Sequence, residues 1–557
     1  MRSLLLSGAA LLLAASTPAL AAPAAPSATG IDAGQIESIV RAITDDSFEG
    51  RAPGTRGEER TIAWLTDALG KLGLEPGGPD GQWTQPVPLL HTQLGAPERL
   101  GVSFGAQFTP MALGQDIYLS TLQPRDKAVI DNAEMVFVGY GVTAPERGWD
   151  DYKGVDLKGK VAVFLVNDPD FEAQTGEPVQ DRFGGRTMTY YGRWIYKFEE
   201  AARHGAIGAL IVHDTPGAGY GWNVVQSPGG ENYDMVRPAD RITSVALQGW
   251  LHGDAATALF TAAGLDLAVL RARARSSDFR PVPLKGARFS AAIPVTREVV
   301  QSRNVLAKIT GAKRPDEVVM LGAHWDAYGE GKPDAEGRKY RAGANDDGIG
   351  VAALLEMGRL FKAAPRPDRT IVFGFWSAEE RGLLGSETYA ANPVYPMEKT
   401  VANLTVDVLQ TAGAARDVIL IGKGQNTLED DLARFAAKQG RTITPDAAPE
   451  RGLFYRADHF PLAKRGVPVL LMMGLAGGAD LVVGGRAAGE KWVSDYTGNC
   501  YHQACDAWSP DWNLDGAVMD MELVRSMATE LANSDRWPQW KPGSEFKDIR
   551  ERTNPPR

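Results

Sequence analysis

The chain is poor in cysteine and histidine, with two and seven in 557 residues, and it has neither clusters of basic residues nor runs of one residue type. Two cysteines exclude a disulfide-dense scaffold, so a fold of this size must be held by apolar burial. With 44% hydrophobic and 23% charged residues and no low-complexity tract, the disordered, collagen-like and fibrous classes are excluded as well. The Lys and Arg residues are scattered and the net charge is -10, which argues against nucleic acid or an anionic membrane as a partner. Beyond the N-terminus no stretch approaches about 18 unbroken apolar residues, so no spanning helix is expected there.

The N-terminus has a pattern of its own. Met1-Arg2-Ser3 carries one positive charge, residues 4–15 are apolar, and Ala19-Leu20-Ala21 precedes Ala22-Pro23. This is the pattern of a secretory signal peptide over 1–21, and it predicts export to the periplasm or the cell exterior with no membrane insertion after cleavage. In an oxidising compartment Cys500 and Cys505 read as a disulfide around His502. Spacing alone leaves open whether that loop fixes the histidine or is a plain staple.

The length predicts two or three domains. A helix is expected over 31–43, then a loop at Gly50-Arg51-Ala52-Pro53-Gly54-Thr55, then an amphipathic helix through Ile62, Leu65, Leu69 and Leu72 that stops at Gly73. From 123 to 294 the texture changes to short β-rich runs at 135–140 and 161–166, with a helix-then-strand unit over 198–212. This predicts an inserted β-rich domain at 123–294 between two parts of a larger domain, 30–122 and 295–540. His204, His213 and Asp214 fall in the insert without acid/base spacing. From 304 onward strands at 318–322, 370–376, 401–408, 418–421 and 467–473 alternate with helices at 349–361, 383–391, 428–437 and 514–532. The fold class is therefore α/β with a doubly wound, mostly parallel sheet, and functional side chains are expected at the carboxyl ends of its strands.

Five clusters fall there. His324-Trp325-Asp326 follows a strand, and Asp326 is placed to orient the imidazole through its second nitrogen. Asn345-Asp346-Asp347-Gly348 is a polar turn opening a helix, where an aspartate could equally be a cap. Glu379-Glu380 ends an apolar strand, and two adjacent carboxylates in a cleft call for a cation. Asp407 is an acid in an apolar strand, which needs an explanation. The last cluster is Cys500-Tyr501-His502-Gln503-Ala504-Cys505-Asp506. Two histidines and three carboxylates, with one glutamate to spare as a general base, form the inventory for two zinc ions sharing a bridging carboxylate. Cobalt or manganese could occupy the same ligands.

In this order the motifs resemble the co-catalytic di-zinc aminopeptidases of metallopeptidase family twenty-eight, and the insert resembles a protease-associated domain. The resemblance implies that Asp346 bridges two zinc ions, with His324 and Asp407 on one and Glu380 and His502 on the other. It implies Glu379 as general base, Tyr501 as oxyanion donor, a Cys500–Cys505 bridge, and a cis peptide between Asp346 and Asp347. In Tyr455-Arg456-Ala457-Asp458-His459 it implies Arg456 as a substrate contact, with His459 ordering the loop. The activity implied is removal of N-terminal residues from peptides with a free N-terminus. Related possibilities are a carboxypeptidase or dipeptidase of the same family, which would want several arginines gathered, a glutaminyl cyclase, and a non-catalytic receptor-like relative. The residue preference, expected to lie in loops including 475–499, and the oligomeric state are not legible at this level.

Overall fold

The helix Ala33–Ile43 starts where Asp32 accepts hydrogen bonds from the N–H groups of Gly34 and Gln35, and it buries Ile36, Val40 and Ile43. The helix Arg56–Lys71 is capped by Thr55, whose hydroxyl faces Glu58 N–H, while the Glu58 carboxylate reaches back to Gly54 N–H at 2.6 Å. Both are elements of a computed structural model that describes residues 30–226, 228–237 and 244–554. The signal peptide expected over 1–21 lies outside the described residues.

Five strands form the sheet that carries the site, in the order Val282–Ile309, Arg369–Trp376, Arg314–His324, Thr400–Val406, Val469–Met472. All neighbours are parallel except the first pair. Alternation along Arg314–His324 sends Val319, Leu321 and Ala323 to one core and Val318 and Met320 to another on the opposite face. The first core is closed by Ala33–Ile43, Arg56–Lys71, Ile349–Ala363 and Asp515–Asn533. The second is closed by Leu384–Ala391 and His459–Ala463. Helices on both faces make this a doubly wound, mostly parallel α/β sheet. Ile349–Ala363 is apolar almost all round because it is sandwiched between the sheet and Ala33–Ile43.

The strand Val282–Ile309 is long enough to serve two neighbourhoods. Its C-terminal part pairs with Thr84–Leu94 and Arg369–Trp376, and its N-terminal part with Arg99–Phe104 and Lys127–Phe137. Beyond Lys127–Phe137 the strands Val161–Leu165, Gly208–Val212 and Leu247–Leu251 continue in parallel, with Ile117–Ser120 antiparallel at the edge. This second set takes in strands from residue 99 onward. Pairings such as Phe104 with Ala287 draw them in, and local texture does not record such pairings. The stretch 475–499, read as loop, contains the helix Gly485–Asp495; only Gly489 of it is buried, so it has no apolar stripe to announce it. Among the described residues no single helix is long and apolar enough to cross a membrane.

Candidate metal centre

The side chains of the site leave strands at their carboxyl ends or follow in the next turn. His324 is the last residue of its strand, and Glu379 and Glu380 follow Arg369–Trp376. Asp407 departs from expectation: the strand ends at Val406, and Asp407 is the next residue, its N–H donating to Met472 O at 3.1 Å. Ending there frees its carboxylate from the pleat, so no acid is embedded in the apolar strand. Asp346 and Asp347 lie in the turn Ala344–Gly348, and the peptide between them is cis.

His324 Nε2 lies 3.1 Å from Asp346 Oδ1 and 3.8 Å from Asp407 Oδ1. His502 Nε2 lies 3.2 Å from both Asp346 Oδ2 and Glu380 Oε2. Two groups result, His324 with Asp346 and Asp407, and Asp346 with Glu380 and His502, each with its ligand atoms within 4.8 Å of one another. Asp346 Oδ2, Asp407 Oδ1 and His502 Nε2 are buried without a hydrogen-bond partner. Atoms of that kind normally have one, and here they converge on common points instead. Nitrogen and oxygen donors in this arrangement fit zinc.

The electrostatics agree. Burial pushes the carboxyls of Glu379, Asp407 and Glu380 upward, the last to about 7, and neighbouring carboxylates add to it. Burial alone would lower the two histidines, but it is outweighed by Glu379 and the surrounding aspartates at His324, and by Glu380 and Asp346 at His502, which rises to about 10. So many acids in one dry place demand either protons or cations, and a divalent cation satisfies them together.

The neighbours of this set work on the main chain. Asp347 accepts His324 N–H at 3.2 Å and Gly350 N–H at 2.9 Å, so it holds the histidine and starts the helix. A Cβ at position 350 would lie 2.2 Å from its carboxylate, which explains the glycine. The ring of His324 is oriented by the carbonyl oxygen of Asp326 at 3.1 Å; the carboxylate expected to do this is 3.7 Å away and accepts Glu379 N–H at 3.0 Å. The ring of Tyr501 lies tilted by 31° against that of His502, with centroids 3.6 Å apart, and both residues fall between the disulfide partners Cys500 and Cys505. Arg456 stands outside both ligand groups. His459 is buried among apolar side chains, edge-on to Phe454 at 5.1 Å, and burial pushes it down to about 3. In the second set of strands, Asp214 caps Thr215–Ala218, His213 packs on Trp222 and Trp250, and His204 stacks on Tyr152.

Two residues of the site had no assigned part in the sequence reading. Asp506 accepts Asn345 N–H at 2.9 Å, Asp346 N–H at 3.1 Å and the Tyr496 hydroxyl at 3.0 Å, fixing the turn that presents Asp346. Arg51, fully buried, donates to the carbonyls of Trp325, Ile43, Ala342 and Gly343 at 2.5–3.2 Å. It ties the turn after His324 to the turn before Asp346. Arg51→Met is expected to lower stability by about 3 kcal/mol or more, because several buried carbonyls lose their donor. Arg51→Lys should not restore it, since one ammonium cannot span the same acceptors. Denaturant midpoints of the three proteins check this.

Residues 304–524 match peptidase family M28. Among curated relatives, leupeptin-inactivating enzyme 1 of Streptomyces exfoliatus is 29% identical over 222 residues, 39% of this chain and 45% of that protein. An aminopeptidase of Pseudomonas aeruginosa strain UCBPP-PA14 is 40% identical over 107 residues, 19% of this chain and 18% of that protein. The matches thus span less than half the length of these relatives. Among solved structures, the aminopeptidase from Aneurinibacillus sp. strain AM-1 aligns over 92% of this chain and 95% of that one, with 20% identity and a TM-score of 0.47. All six residues His324, Asp346, Glu379, Glu380, Asp407 and His502 fall inside the segment that matches peptidase family M28.

Proposed function

We propose that this chain is an exported zinc-dependent aminopeptidase that removes N-terminal residues from peptides. The observation that carries the reading is the pair of ligand groups sharing Asp346, with buried donor atoms that have no partner in the chain. His324, Asp346 and Asp407 would hold one zinc ion, and Asp346, Glu380 and His502 a second. Bound there, such ions supply Lewis acidity toward a carbonyl and lower the pKa of water.

The chain's own residues do the rest. Glu379 lies beside the ligands, its Oε2 3.9 Å from His324 Nε2, and its N–H is pinned by Asp326. As general base it accepts the proton of the attacking water and delivers it to the departing amine nitrogen. Tyr501, held over His502, donates its hydroxyl to the oxyanion that forms at the scissile carbonyl. Asp347, Asp506 and Arg51 keep the two turns in register, so little reorganisation is needed during the reaction. Export rests on the signal-peptide pattern over 1–21 and is consistent with the Cys500–Cys505 bridge. The segment 123–294 we read as a protease-associated-like insert.

The test is a panel of neutral aminoacyl anilides and their N-acetylated counterparts. Cleavage of the free-amine members alone, abolished by a chelator and restored by zinc, is the expected result. Equal cleavage of both sets, or of neither, would overturn the aminopeptidase reading.

A further inference from the structure

The two histidines of the ligand groups are held in different ways. His324 has its second ring nitrogen 3.1 Å from the carbonyl oxygen of Asp326, the arrangement that ordinarily fixes a ligating imidazole. His502 has no such bond: its Nε2 faces Asp346 and Glu380, and among the described residues no hydrogen bond reaches its Nδ1. Burial restrains it less as well, since its side chain is 27% exposed against 1% for His324. What packs on its ring is aromatic. Tyr501 does so with centroids 3.6 Å apart, but it is the preceding residue of the same loop and moves with it. Tyr328 comes from another segment, four residues after His324, and reaches the ring with centroids 4.6 Å apart and planes tilted by 43°.

Tyr328 is itself held. The guanidinium carbon of Arg341 lies 5.1 Å and that of Arg381 5.2 Å from the centre of its ring, both within the range of a cation–π contact. Arg341 also donates to the main-chain oxygen of Tyr328 at 2.9 Å. Arg381 reaches outward too: its guanidinium carbon lies 5.0 Å from the ring centre of Tyr233, and its Nη1 lies 3.5 Å from the Glu231 carboxylate. Both partners belong to the strand Glu231–Met235 of the segment 123–294, which pairs antiparallel with Thr84–Leu94 and sets Tyr233 opposite His91. The Tyr233 and His91 rings stack at 4.6 Å, and His91 lies 3.1 Å from Glu231 and 3.0 Å from Glu298. A continuous line of packed side chains thus runs from His91 through Tyr233, Arg381 and Tyr328 to His502.

We propose that Tyr328 is a positioning residue for His502, and that Arg381 passes to it the packing of the strand Glu231–Met235. The proposal rests on the reading of the two ligand groups as zinc sites. It gives a strand of the segment 123–294 control over one metal rather than both: the group of Asp346, Glu380 and His502 depends on the line, whereas His324 is oriented by its own hydrogen bond. Displacing that strand should therefore release the zinc at His502 first.

The experiment measures zinc affinity by competition with a chromophoric chelator in two backgrounds that each keep one group. Asp407→Ala keeps Asp346, Glu380 and His502, and His502→Ala keeps His324, Asp346 and Asp407. Adding Tyr328→Leu is expected to weaken zinc about tenfold or more in the first background and to leave it within about twofold in the second, which also reports that the protein is folded. Tyr328→Phe keeps the ring and should bind as its background does. Tyr233→Ala should weaken zinc about threefold or more in the first background, and Tyr233→Phe should not. No effect of Tyr328→Leu in the first background, or an equal loss in both, would overturn the positioning role. An effect of Tyr328→Leu with none of Tyr233→Ala would overturn the part given to the strand. Failure of the zinc reading is seen separately, as wild-type protein that retains no zinc, and would overturn this proposal with it.

Discussion

Asp346→Ala is expected to abolish zinc binding at both positions and to bring peptide hydrolysis to background, whereas Asp407→Ala should remove only one equivalent. The difference follows from position. Asp346 alone belongs to both ligand groups, with one oxygen 3.1 Å from His324 Nε2 and the other 3.2 Å from His502 Nε2. Removing it leaves two ligands in each group, too few for a structural or catalytic zinc site. The metal-free protein should lose stability as well, because His324 and His502 hold the Asp346 carboxyl below its ordinary range and its charge is therefore favourable in the metal-free fold. Zinc should raise the melting temperature of the wild type strongly, since a ligand at about a thousand times its Kd stabilises by about 4 kcal/mol. For Asp346→Ala that rise should vanish. Metal analysis of the purified proteins and melting curves with and without zinc check both halves. A variant that keeps two equivalents would refute the shared ligand.

Glu379→Gln is expected to lower kcat by about 10²–10⁴ with zinc content unchanged. Glutamine keeps the shape and the main-chain contact from Glu379 N–H to Asp326, so the strand end should not move. What it removes is the proton acceptor. Glu379 belongs to neither ligand group, although its carboxylate lies 3.9 Å from His324 Nε2. The substitution thus separates catalysis from metal binding. Substrate affinity measured on the inactive variant should stay close to the wild-type KM, because the base acts in the transition state. Loss of metal along with activity would instead make Glu379 a ligand and undo the assignment of roles.

The contrast between these two acids was legible in the sequence because each sits next to a strong local signal. The apolar strand Arg369–Trp376 stops abruptly before Glu379, and glycines bracket the turn at Asp346. Parallel sheets present their ends on one side, so residues after successive strands converge without any information about side-chain contacts. That argument does not reach Asp506 or Arg51. Both act on main-chain groups, and nothing in the residues at 324 or 346 signals which distant side chain will satisfy their amides and carbonyls. The exact end of the strand before Asp407 was hidden for a similar reason: the apolar run continues through Val408, and hydrogen bonding ends it at Val406.

The proposed centre holds two metal ions through five side chains. Its most direct test is calorimetric titration of metal-free wild-type protein with zinc, followed by metal analysis after gel filtration. About two equivalents retained per chain are expected, falling to one in Asp407→Ala and none in Asp346→Ala. Retention of a single equivalent by the wild type, or none, would contradict it.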